Sequence, residues 1–140
     1  MIVLDTNVVS ELMRDSPQQT VLAWFGAQPA SSLFVTTVTE AEILTGIALL
    51  PYGRRRHGLS EAAGRVFATL FAERILVFDS DAANIYAEIY AQRQTIGRPI
   101  SQSDCQIAAI ARSREAAIAT RNVTDFEDVE VELINPWSAL

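Results

Sequence analysis

This chain of 140 residues contains one cysteine, one histidine and no long apolar run, and each scarcity removes a class of protein. A lone Cys105 cannot form an internal disulfide, so a buried core must hold the fold. With no signal-peptide pattern at its start, the chain reads as a protein of a reducing cytoplasm, and Cys105 as a small buried apolar residue. His57, set in the basic run Arg54-Arg55-Arg56-His57, has no second His to share a metal with. Hydrophobic residues make up 49% of the sequence, yet charges interrupt them well before the roughly 18 to 20 residues that span a bilayer. No repeat, linker or low-complexity segment divides the chain. Residues 1–140 are therefore expected to form one domain, large enough to bury about two thirds of the surface its unfolded form exposes. Basic charge is scarce as well, with 11 Lys and Arg against 17 Asp and Glu and a formal net charge of -6. That balance excludes a module that holds nucleic acid by a general basic surface. It leaves room for one whose acids are neutralised by metal ions where a phosphate must approach.

What is present is an alternation of strand-like and helix-like segments. Met1-Ile2-Val3-Leu4 runs into Asp5-Thr6-Asn7, the pattern of a buried strand entering a helix. Val8, Val9, Leu12 and Met13 have helical spacing up to the break at Pro17. A second short helix follows from about Gln18 to Gly26, and its apolar residues Val21, Leu22, Trp24 and Phe25 suit either core or interface. Leu33-Phe34-Val35 is a second strand, leading to a helix predicted to begin at Thr39 or Glu40 and to stop before Pro51. Arg54 opens a helical arm that keeps core spacing through Phe71, Ile75 to Phe78 is a third strand, and Asp79 or Ser80 caps a helix reaching about Ile96. Gly97-Arg98-Pro99 ends that helix. A helix from Ser101 to Ser113, a strand from Ala116 to Thr120, a polar loop from Arg121 to Asp128 and an edge strand from Glu130 to Ile134 complete the chain. Strands alternating with helices predict a parallel sheet covered on both faces. In such sheets ligands sit beyond the carboxyl ends of the strands.

Three carboxylates fall at that address: Asp5 where the first strand hands over to a helix, Glu42 in the first turn of its helix and Asp104 in the first turn of another. Each also suits a helix cap. Asp is a favoured N-cap, and Thr39-Glu40-Ala41-Glu42 and Ser101-Gln102-Ser103-Asp104 have the spacing of a capping box. Against capping alone, Glu40 already supplies an acid to its first turn, and Ser103, Cys105, Ala108 and Ala109 would let another helix approach Asp104 closely. The segment Thr120-Arg121-Asn122-Val123-Thr124-Asp125-Phe126 leaves a strand at the same rim, so Asn122 or Asp125 could add an oxygen ligand, although both are ordinary turn residues.

Taken together, these segments resemble the PIN-domain ribonuclease toxins known as VapC, in their FitB-like branch. The likeness is carried by Leu4-Asp5-Thr6-Asn7-Val8 with Ser10-Glu11-Leu12, by Thr39 and Glu42 with Gly46-Ile47-Ala48-Leu49-Leu50-Pro51, and by Gly97-Arg98-Pro99-Ile100 before Asp104. Ile107-Ala108-Ala109, Thr120-Arg121-Asn122 with Asp125-Phe126, and Asn135-Pro136-Trp137 extend it over nearly the whole chain. The resemblance implies a PIN-like three-layer α/β/α sandwich with a central, mostly parallel five-stranded sheet. It implies a Mg²⁺ or Mn²⁺ site formed by Asp5, Glu42 and Asp104, cleavage of RNA, homodimerisation, and a small VapB-like antitoxin that blocks the site. Many members carry a fourth acid where this chain has Asn122, so Asn122 is expected to ligate weakly, to bind through water, or to yield its role to Asp125. Thr6, Asn7 and Ser103 are expected to support the site, and Arg98, Arg121 or the Arg54 to Arg56 run to meet the RNA backbone.

Two other readings compete. A haloacid-dehalogenase-like phosphatase also begins with a strand ending in Asp, but needs a second Asp two residues later, where this chain has Asn7. A non-catalytic interaction module would use the acids only as caps. A DNA-directed metal nuclease is a nearer alternative, because the chemistry does not itself distinguish the sugars.

Overall fold

The structure, a computed structural model, describes residues 1–138. β1 (Ile2–Leu4) lies at the centre of a five-stranded sheet with β2 (Leu33–Thr36), β3 (Ile75–Leu76), β4 (Ala117–Ala119) and β5 (Leu133–Ile134). The strand order is β3-β2-β1-β4-β5, and every pairing is parallel. The register sets Val3 beside Phe34 on one side and Ile118 on the other.

Parallel strands need crossovers, and helices supply them. α1 (Thr6–Leu12), α2 (Gln19–Ala27), α3 (Thr37–Ala48) and α4 (Arg54–Arg65) lie between β1 and β3, while α5 (Ser80–Thr95) and α6 (Gln102–Ser113) lie between β3 and β4. Side chains alternate across a strand, so β1 feeds two cores. Leu4 packs with Val8, Val9, Trp24, Ile43, Ile47, Phe67 and Phe71 on one face. Val3 packs with Ala82, Ile89, Ile107 and Ile110 on the other. Both Val3 and Leu4 are fully buried, worth about 1.5–3 kcal/mol each. The small buried residues Cys105, Ala108, Ala109 and Ala111 let α6 lie close under α5.

Several boundaries differ from expectation for identifiable reasons. α3 starts at Thr37, because the Thr36 hydroxyl caps it by accepting the Thr39 N–H at 3.1 Å. The arm from Arg54 is not α-helical throughout but widens into a π-helical turn at Val66–Leu70. β3 ends at Leu76, leaving Val77 half exposed, and the polar loop after β4 contains a 3₁₀ turn at Val123–Phe126. α5 is capped by Asp79, which accepts the Ala82 N–H at 3.0 Å, and Gly97 takes the left-handed conformation (φ 74°) past its end. His57 pairs with Glu61 on the surface. Among the described residues no helix is long and apolar enough to cross a membrane.

This topology decides where a ligand fits. The chain runs outward from β1 to β3 on one side, then returns to place β4 on the other. The crevice between β1 and β4 at their carboxyl ends is the topological switch point.

Candidate functional site

Asp5 is the first residue beyond β1 and is buried. Its backbone N–H donates to Ala119 O at 2.9 Å, continuing the ladder to β4. Its Oδ1 accepts the N–H of Thr6, the first residue of α1, at 2.8 Å, and its Oδ2 accepts the Thr120 hydroxyl at 2.8 Å. Asp5 is thus both a cap and a wall of the switch-point crevice.

Thr120 is the hub. Its hydroxyl gives its one proton to Asp5 and accepts from the Asn122 N–H at 3.0 Å and from Asn7 Nδ2 at 3.5 Å, which fills its capacity. Asn7 also accepts the Arg121 N–H at 3.3 Å, so the start of α1 and the loop after β4 are tied together.

Glu42 arrives from α3. Because α3 begins at Thr37, Glu42 lies beyond its first turn, and Glu40 holds the acidic first-turn position. The carboxylate is not used for capping. It accepts the Thr6 hydroxyl at 2.8 Å, and Thr6 in turn lies 3.0 Å from the buried Thr39 hydroxyl, which must then donate to it. Asp104 arrives from α6, in the first turn after Ser101, whose hydroxyl accepts the Asp104 N–H at 3.2 Å. Here the capping geometry is realised by Ser101, while the Asp104 carboxylate lines the crevice.

Asp5, Thr6, Asn7, Glu42, Asp104, Arg121 and Asn122 therefore border one cleft of about 480 Å³. Ser103, Asp125 and Arg98 are not on its wall. Ser103 is half-buried on α6. Arg98 is engaged by Glu127 at 3.2 Å, Asp128 at 2.9 Å and the Thr124 carbonyl at 2.9 Å. Asp125 is exposed but near enough to Asp104 to raise its pKa.

The electrostatics follow from burial and crowding. Burial pushes the Asp5 carboxyl from 3.8 up to about 6, with Asp104 and Glu42 adding to it and the bonds from Thr120 and Thr6 opposing it. Asp104 is also raised, first by burial and then by Asp125 and Glu42, while the Ser101 hydroxyl and Arg93 act the other way. Among the described residues no three His, Cys, Asp or Glu side chains are drawn together at metal-ligand spacing. The donor set nevertheless fits a hard divalent cation: oxygen donors only, and repulsion that a cation would relieve.

Sequence reasoning missed Thr120 as the organiser and the cleft residues Ser10, Glu11, Arg14 and Trp137. Glu11 is buried and joins α1 to α2 by accepting the Gln18 N–H at 3.0 Å, with Arg14 at 3.3 Å. The signal for it was an acid inside an apolar helical stripe. Arg93 lies within α5, where its place in the sequence gives no sign of a role in the site. It is buried, donating to the carbonyls of Arg98 at 2.6 Å and of Asp125 and Glu127 at 3.0 Å each, and so fastens the loop after β4 to α5.

Comparison with known proteins completes the description. A family model described as PIN domain matches residues 2–132. The chain is 43% identical to VapC ribonuclease Y4jK of Sinorhizobium fredii, covering 98% of each chain. It is 39% identical to Toxin FitB of Neisseria gonorrhoeae, covering 98% of this chain and 99% of the relative. The crystal structure of FitAcB from Neisseria gonorrhoeae superposes with a TM-score of 0.92 at 38% identity, covering 99% of this chain and 100% of that one.

Proposed function

This chain belongs to the PIN domain family, and on that premise we propose that it is the toxin of a type II toxin–antitoxin pair, a divalent-cation-dependent endoribonuclease acting in the cytoplasm. The observation that carries the reading is the convergence of Asp5, Glu42 and Asp104, from segments far apart in sequence, on one cleft at the switch point of the sheet. The resemblance to named ribonucleases and to a named toxin supports RNA as the substrate and a small VapB-like antitoxin as the partner. Homodimerisation belongs to the same reading.

Asp5, Glu42 and Asp104 would hold Mg²⁺ or Mn²⁺, which when bound supplies Lewis acidity at the phosphate and lowers the pKa of water. The protein's own groups do the rest. Thr6 and Thr120 fix Asp5 in one rotamer by occupying one lone pair of each oxygen. The Thr6 hydroxyl holds Glu42 Oε1, leaving Oε2 to orient an attacking water and take its proton. Asn7 and Asn122 set the rim, and Arg121 offers positive charge to the phosphate chain. In-line attack by water on the phosphorus breaks the bond to the 3′ oxygen and leaves a 5′ phosphate, with no part for the 2′ hydroxyl.

A capping-only role for the acids is disfavoured by Glu42, whose carboxylate makes no cap. The test is parallel incubation of single-stranded RNA and DNA with the purified chain in Mg²⁺, Mn²⁺ or EDTA. RNA cleavage that needs the cation and is lost in Asp104→Asn is the expected result. Cleavage of DNA alone would reassign the substrate, and cleavage in EDTA would remove the cation from the reading.

A further inference from the structure

Arg121 is more than a charge at the mouth of the cleft. It is the first residue after Thr120 at the carboxyl end of β4, and its backbone N–H is fixed to Asn7 Oδ1 at 3.3 Å. Its guanidinium carbon lies over the indole of Trp137, 5.2 Å from the ring centroid. Trp137 follows β5, the parallel neighbour of β4, and its backbone N–H is held by Asn135 Oδ1 at 2.9 Å. The indole packs against the core on the α1 side, and its N–H is buried without an acceptor. Packing rather than hydrogen bonding therefore sets the ring.

Two adjacent strand ends thus deliver a fixed aromatic ring with a planar cation laid over it, both on the wall of the acidic cleft. Arg14, Arg98 and Arg112 are each paired with carboxylates, whereas among the described residues none pairs with Arg121, which is exposed. A phosphate contact alone would be met by any flexible positive charge. A guanidinium placed over a fixed indole, 5.2 Å from the ring centroid, instead adds a planar π-like group to an aromatic ring at the cleft, the kind of surface on which unpaired bases stack.

We propose that Arg121 seated on Trp137 is a nucleobase platform, which stacks an unpaired base of the RNA next to the phosphate lying among Asp5, Glu42 and Asp104. The proposal rests on the nuclease reading above and adds where the adjoining nucleotide goes. It makes the preferred substrate single-stranded at that position, because a base inside a duplex cannot reach the platform.

The experiment measures binding of a short fluorescein-labelled single-stranded RNA to the chain by anisotropy at low salt in Ca²⁺, a cation that can neutralise the acids, with the RNA confirmed intact on a gel, and reads the emission of Trp137 in parallel in a Trp24→Phe background. Arg121→Lys keeps the charge and removes the plane. Stacking predicts a loss of affinity of about tenfold with an unchanged salt dependence, and a comparable loss in Trp137→Leu with a smaller one in Trp137→Phe. An RNA made abasic at successive positions should lose the emission change at one position. Affinity in Arg121→Lys equal to the parent's, emission insensitive to abasic sites, or no RNA binding at all would each overturn the platform. The outcomes also separate the two readings: a chain that binds in this way but does not cut RNA in Mg²⁺ retains the platform and loses the nuclease, and a chain that cuts RNA with Arg121→Lys unimpaired does the reverse.

Discussion

Replacing Asp5 by Asn should stabilise the protein at neutral pH in the absence of divalent cations. A carboxyl whose pKa is about 6 in the folded chain and 3.8 in the unfolded one disfavours folding by about 3 kcal/mol once both forms are ionised. The sign follows from proton counts. Between those two values the folded chain retains a proton that the unfolded chain has released, so stability falls as pH rises from about 4 to about 6 and stays low above it. Asn at position 5 keeps the cap, since its carbonyl oxygen can accept the Thr6 N–H. It gives up the bond from the Thr120 hydroxyl, whose strengthening by charge is already contained in the pKa of about 6, so the further loss is that of a neutral bond, about 1 kcal/mol. The net gain is about 2 kcal/mol at pH 7.5, near 7 °C in Tm for a chain of this length. Thermal unfolding of parent and variant in EDTA, at intervals from pH 4 to pH 8, is the assay, and the advantage of the variant should vanish toward pH 4. A variant less stable than the parent at pH 7.5, or a difference that does not change with pH, would refute the assignment of a buried, crowded carboxylate to this position.

Four further outcomes follow from the same geometry. Asp104→Asn should abolish RNA cleavage while leaving Tm at or above the parent's, checked by gel assay and calorimetry on the same preparation. Thr120→Val, nearly isosteric and fully buried, strips partners from Asp5 Oδ2 and the Asn122 N–H and should lower stability by about 2 to 3 kcal/mol, read from denaturant midpoints. Arg93→Gln leaves carbonyls of the loop after β4 without donors and should cost about 3 kcal/mol, with faster amide exchange across residues 123–128. Mn²⁺ at about a hundred times its dissociation constant should raise stability by about 2.7 kcal/mol at pH 7.5, and that gain should be absent at pH 4.5 and in Asp5→Ala.

The fold was legible where the periodicity was strong. Ile2–Leu4 and Leu33–Val35 announce buried parallel strands because they are continuous apolar runs with turn or cap residues at their ends, and the stop at Gly97-Arg98-Pro99 is set by local backbone chemistry alone. The start of α3 was not legible, because Thr36, Thr37 and Thr39 are all competent caps and only the end of β2 decides among them. That decision moved Glu42 out of its capping place. The π turn at Val66–Leu70 has no sequence signature, since Val66, Phe67, Leu70 and Phe71 fit ordinary helical spacing as well. In the site, the presence of each acid could be read but its partner could not. The bond from Thr120 to Asp5 joins residues 115 apart in sequence, and nothing local to either specifies it. Arg98 illustrates the same point. Its basic side chain could be read as one expected to meet the RNA backbone, but its partners Glu127 and Asp128, about 30 residues further along, could not.

That same span between Asp5 and Thr120 bears on how the protein is made. A ribosome releases the first strand of the sheet long before the fourth, and the central strand acquires its second neighbour, and the buried acid its hydroxyl partner, only after most of the chain has emerged. A nascent or prematurely ended chain lacks one wall of the pocket and the donor that fixes its deepest carboxylate. The cell that synthesises such a chain meets a competent pocket only once translation has passed its fourth strand.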